Sequence, residues 1–145
     1  MQAARRFAAA DGDLRDLGSQ TVGRQYSDAC ELIRRNRAKF HAENLHLTAG
    51  KAPEVLVNWP APDAVFIGGS KGNLAAIMDA ALVANPAVRL CISAIALETL
   101  QQAIAVLAAH GLTAQVTQIA VSRSKAAGSL HLLMANNPVF LIVRE

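Results

Sequence analysis

The chain has 145 residues, 52% apolar against 17% charged, a balance that excludes a disordered tail and a long solvated helix. A net charge of +3 is too small to argue for a nucleic-acid partner by itself. No run of about 18 uncharged apolar residues offers a membrane span.

Alanine fills 29 positions and aromatics only 4%, so the core is expected to use Ala, Val, Leu and Ile at close helix–strand approach. A domain of this size buries roughly 70% of its unfolded surface, enough for one core and cramped for two. Arg5 and Arg6 interrupt the apolar start, so no secretory core is expected there. Cys30 and Cys91 lack CxxC spacing, which points to reduced, buried thiols in a cytoplasmic setting.

In chain order, Gly12 to Gly18 can form a strand ending in a glycine turn. The stretch from Gly18 to Asp28 leaves room for neither a helix nor a second strand. Asp28 to Phe40 is a predicted helix with Leu32, Ile33 and Phe40 facing inward, and Asn44 to Thr48 a predicted short strand. Ala64-Val65-Phe66-Ile67 is an apolar strand ended by Gly68-Gly69-Ser70-Lys71-Gly72. A helix follows with Leu74, Ile77, Met78, Ala81 and Leu82 on one face, stopped by Asn85-Pro86.

Arg89 to Ile95 reads as a strand buried on both faces. Leu97 to Ala109 is a helix with Leu100, Ala103, Ile104, Leu107 and Ala108 at core spacing, capped by His110-Gly111. Gln115 to Val121 is a further strand, Ser122 to Gly128 a polar loop, and Val139 to Val143 a closing strand. Alternating strands and helices imply right-handed crossovers and a mainly parallel sheet.

Open α/β sheets bind ligands beyond the carboxyl ends of their strands, and Gly68-Gly69-Ser70-Lys71-Gly72 is such an end. Its glycines allow close approach to the backbone, and the next helix N-terminus offers free N–H groups to an anion. It is no P-loop, since no GK[ST] follows. Gly50-Lys51-Ala52-Pro53-Glu54 is a second, weaker turn of this kind. The basic run Arg34 to Lys39 has no interleaved aromatics and reads as a solvated face. Ser122-Arg123-Ser124-Lys125 matches SxxK but lacks the helix that motif needs. The four histidines lack ligand spacing, so no metal site is expected.

These motifs resemble the CbiT-type precorrin-6Y C5,15-methyltransferases (decarboxylating), either as the separate subunit or as the C-terminal domain of the CobL type. The resemblance rests on Glu31 to Asn36, Gly50 to Glu54, Pro62 to Ser70, Ser93 to Leu100 and Asn137-Pro138-Val139-Phe140, which keep the family order. It implies an α/β fold: a three-layer, Rossmann-like sheet of the class I S-adenosylmethionine (SAM)-dependent methyltransferases. It also implies methylation of a precorrin at C15 with decarboxylation of the C12 acetate, a step of cobalamin biosynthesis. One methyltransferase domain over residues 1–145 is expected, divergent over 1–28 and family-like over 29–145.

By the same resemblance, Asp16, Gly18, Ala52, Gly68, Gly69 and Ser70 belong to the cofactor site, and Glu98 and Asn137 lie near the pocket. A homo-oligomer, by resemblance a tetramer, and a separate C5-methylating partner are also implied, with no nucleic acid or membrane. After Asp16-Leu17-Gly18 the family's further close glycines are missing, and no acidic residue stands where one would bind the ribose. Part of the first βαβ unit is therefore expected to be lacking. That departure supports a second reading, a cofactor-binding-deficient, non-enzymatic remnant or assembly module of the same fold. A Rossmann-like domain for another nucleotide is a third.

Overall fold

Two short strands with alternating burial set the architecture. Ala64–Ile67 (β2) buries Val65 and Ile67, and Arg89–Ala94 (β3) buries Leu90, Ile92 and Ala94, because successive strand residues face opposite sides. The computed structural model describes residues 7–10, 18–57 and 59–144. Around these strands lie Phe7–Ala10 (β1), Gly18–Lys39 (α1), Leu74–Ala84 (α2), Leu97–Ala109 (α3), Gln115–Ile119 (β4), Ser122–Ala127 (β5), Leu130–Ala135 (β6) and Val139–Arg144 (β7). A single 3-10 turn spans Glu54–Leu56.

The main sheet has the order β1-β2-β3-β7-β4. β1, β2 and β3 are parallel, whereas β7 runs antiparallel to both β3 and β4. The sheet is thus mixed: β1 to β3 form the parallel part that the alternating elements imply, and β7 contributes two antiparallel ladders where a mainly parallel sheet is expected. In register, Ile67 faces Ile92 and Ile92 faces Ile142, so three isoleucines form one continuous row. α2 covers this row with Leu74, Ile77, Met78, Ala81 and Leu82, and α3 adds Ala103 and Leu107. Leu100 and Val106 pack at the margin, while Ile104 and Ala108 stay exposed.

The ends of the helices follow their sequence signals. Asn85 is extended after α2, its backbone N–H bonds to Ala81 O, and its side chain donates to Pro62 O at 2.8 Å. Gly111 takes φ +68, and Leu112 N–H reaches back to Leu107 O at 2.9 Å, closing α3 in the left-handed manner. His110 caps nothing through its ring; Nε2 meets Asp79 Oδ1 of α2 at 2.8 Å. Arg144, at the end of β7, donates to Val88 O and Pro86 O and ties the strand to the turn before β3.

Several expectations need correction. α1 begins at Gly18, ten residues before Asp28, because no proline interrupts the stretch and an isolated Gly23 costs only about 1 kcal/mol. Leu32 and Phe40 face solvent, 54% and 68% exposed, and Ile33 is exposed too; no described element lies over their stripe. Asn44 to Thr48 forms no strand, since β1 takes the ladder beside β2 and leaves it no partner. Cys91 and Ser93 are only half-buried, so β3 is fully covered on one face alone. Ser122 to Gly128 is no loop: β5 pairs antiparallel with β6 around a turn where Gly128 has φ +64. The strand expected over Gly12 to Gly18 falls mostly on residues outside those described.

Cys30 is buried, and neither cysteine is in a disulfide. Truncation of Ile92, fully buried at the middle of the isoleucine row, is expected to cost about 2–5 kcal/mol as Ile92→Ala, measured by urea unfolding. A loss below about 1 kcal/mol would show that the row is not the core.

Candidate functional site

Strand direction gathers the candidate residues at one edge. β2, β3 and β4 point the same way, so the loops after them open on the same side of the sheet. Because β7 is reversed, its leading segment Asn136-Asn137-Pro138 arrives at that edge too. Ala94 and Phe140 are register partners, which sets the chain before Glu98 beside the chain after Asn137. Both residues are exposed, and Glu98 lies in the first turn of α3, where a carboxylate complements the helix dipole.

Gly68, Gly69 and Ser70 follow β2 and are half-buried. The left-handed conformations of this loop fall on the next two residues, Lys71 at φ +45 and Gly72 at φ +87. They turn the chain so that Asn73 N–H bonds to Ser70 O at 2.9 Å and α2 can begin. The Asn73 side chain then donates from Nδ2 to Ala52 O at 3.0 Å. The two stretches singled out for the cofactor side, Ala52 and Gly68 to Ser70, therefore meet at the N-terminus of α2.

The Ala52 segment is itself a folded turn. Val55 N–H bonds to Lys51 O at 3.2 Å and Leu56 N–H to Pro53 O at 2.9 Å, and Trp59 Nε1 donates to Thr48 Oγ1 at 3.2 Å. Ala52 and Leu56 pack partly against the core. Gly50 makes the turn possible. It has φ +151, and a Cβ there would lie 2.0 Å from Val55 Cγ1. The glycine needed by geometry here is thus Gly50.

Of the other expected site residues, Gly18 opens α1, so the chain after it is helix and no glycine loop. Asp16 lies outside the described residues. Ser122 and Lys125 sit on β5, which denies SxxK its helix. Burial raises the Cys91 thiol above its ordinary pKa, keeping it protonated and a poor nucleophile at neutral pH. No three His, Cys, Asp or Glu side chains cluster as metal ligands among the described residues. Asn73 and the β5–β6 hairpin escaped the sequence reading; an Asn directly after a glycine-rich turn was the available signal for the first.

A family model described as a precorrin methyltransferase domain matches residues 17–144. The chain belongs to that family. It is 37% identical over 127 residues to a probable cobalt-precorrin-6B C(15)-methyltransferase (decarboxylating) of Pyrobaculum calidifontis, covering 86% of this chain and 65% of that one. It is 36% identical over 116 residues to the cobalt-precorrin-6B C(15)-methyltransferase (decarboxylating) of Salmonella typhimurium, covering 79% of this chain and 59% of that one. The chain therefore spans less than two thirds of the length of these relatives. Among solved structures, it superposes on a precorrin-6y C5,15-methyltransferase from Geobacter metallireducens with a TM-score of 0.72 at 33% identity, over 97% of this chain and 66% of that one. The fold is that of the class I methyltransferases of precorrin type.

The Gly50 geometry gives a direct test of the turn. Gly50→Ala is expected to destabilise the protein by about 1–3 kcal/mol, from the strained backbone and the Val55 clash together, measured by thermal or urea unfolding. A Gly50→Ala protein as stable as the parent would mean that the turn is held differently.

Proposed function

We propose that the chain carries SAM-dependent methylation of a precorrin at C15, with loss of the C12 acetate carboxyl as carbon dioxide. The observation that carries this reading is the meeting of Ala52 and the Gly68–Ser70 loop at the N-terminus of α2, through one hydrogen bond to Asn73. Family membership supports it, as do the relatives' names.

In this reading the Ala52 backbone meets the adenine, and Gly68, Gly69 and Ser70 allow close backbone approach beside it. Asp16 and Gly18 are assigned to the methionine end. Because α1 starts at Gly18, that end has helix N–H groups to offer. When bound, SAM supplies an already activated sulfonium methyl, so the protein's part is to hold a ring carbon in line with it and keep water away. Glu98 and Asn137 border the same edge and contact the tetrapyrrole. No helix of the described residues is long and apolar enough to cross a membrane, and a cytoplasmic site of action fits a soluble substrate.

Calorimetry with SAM, followed by transfer of labelled methyl to a precorrin, tests the reading. Saturable binding with turnover is expected. Absence of binding at millimolar SAM would favour instead the remnant that has lost its cofactor.

In the same reading the chain self-associates through β5 and β6. Every residue of β5 and β6 is exposed, and Leu130, Leu132 and Met134 share one face with Leu133 on the other. A lone two-stranded hairpin is marginal in water, and a second copy of this apolar surface would cover it. Light scattering is expected to show an oligomer, a tetramer by resemblance, that Leu132→Lys breaks into folded protomers. A stable monomer at micromolar concentration sinks the idea.

A further inference from the structure

Asn73 stands at the N-cap of α2, where asparagine ordinarily turns its side-chain oxygen onto the free N–H groups of the first helical turn. It makes no such bond here. Its Nδ2 instead reaches across 21 residues of sequence to donate to Ala52 O in a half-buried hydrogen bond. A helix cap has been given up for a long-range contact.

The acceptor explains why. In the turn that follows Gly50, Lys51 O accepts from Val55 and Pro53 O accepts from Leu56. Ala52 O lies between them and takes its hydrogen bond from Asn73. A half-buried carbonyl left without a donor is unfavourable, so the turn adopts one orientation when Asn73 is present and loses that restraint when it is absent. The same residue's backbone N–H closes the Ser70–Asn73 turn. One residue thereby couples the turn before β2 to the loop after it.

We infer that Asn73 is a positioning residue: it holds the Ala52 peptide in the orientation that the adenine side of the site requires. The inference rests on the SAM reading above. Asn73 touches neither cofactor nor substrate in this scheme and acts through Ala52.

The test separates this role from helix capping. Asn73→Asp keeps the shape and supplies an excellent cap oxygen, yet removes the donor and sets a carboxylate against Ala52 O. Asn73→Ser keeps a capping group that is too short to reach. Both are expected to lower the thermal midpoint modestly, because Ala52 O loses its donor in each, with the better cap in Asp offsetting part of the loss. Both should weaken SAM binding about tenfold or more by calorimetry. Without any ligand, amide exchange at Val55 and Leu56 should quicken in both variants relative to the parent.

Parental SAM affinity together with parental exchange at Val55 and Leu56 overturns the inference. A midpoint that falls in Ser and recovers in Asp, with SAM affinity following the midpoint, also overturns it, because that pattern belongs to a cap. If the parent protein itself binds no SAM, the functional reading fails. The ligand-free exchange comparison then still decides whether Asn73 holds the turn.

Discussion

Everything at the carboxyl edge of the sheet depends on Ile92 being packed from both sides in register. Ile67 on β2 and Ile142 on β7 flank it, and Ile77, Met78 and Leu107 belong to the same buried cluster. This row decides how far each strand runs before it emerges from the core. The loop after β2, the first turn of α3 and the approach to β7 reach the same edge because their strands are locked to one another. A shift of one residue in β3 would carry Leu90, Ile92 and Ala94 to the half-covered face, at a cost no local contact could offset. The site is built by the core, and its own residues add little to the stability that holds it.

The opposite situation holds at the start of the chain. α1 carries Leu32, Ile33 and Phe40 on surfaces that nothing described covers, and Lys39 Nζ lies 5.4 Å from the Phe40 ring centre, a contact of modest strength at an exposed position. Among the described residues the sheet ends at β1, and no element lies over the stripe of α1.

The α2 stripe was legible because Leu74, Ile77, Met78, Ala81 and Leu82 repeat at the helical period and all five are buried. The stripe on α1 repeats as well. Periodicity says which residues share a face, and it says nothing about whether another element arrives to cover that face. β5 was illegible because Ser122, Arg123, Ser124 and Lys125 alternate between two kinds of polar residue; pairing with β6 makes it a strand, with no burial pattern of its own. The carboxyl-end loops were readable from strand order. The Asn73–Ala52 bond was not, since asparagine before a helix has an ordinary meaning as a cap, and only the fold shows it used for something else.

The position of β7 has a consequence for synthesis. β3 and β4 are separated in space by a strand that follows both of them in the chain. During translation, β4 emerges with no neighbour to pair with, and the flank of β3 that Ile142 will cover stays open. The two-stranded extension made by β5 and β6 emerges next, before the gap is filled. A nascent chain halted just before Val139 would hold an apolar slot shaped for one strand, open to any extended segment that met it.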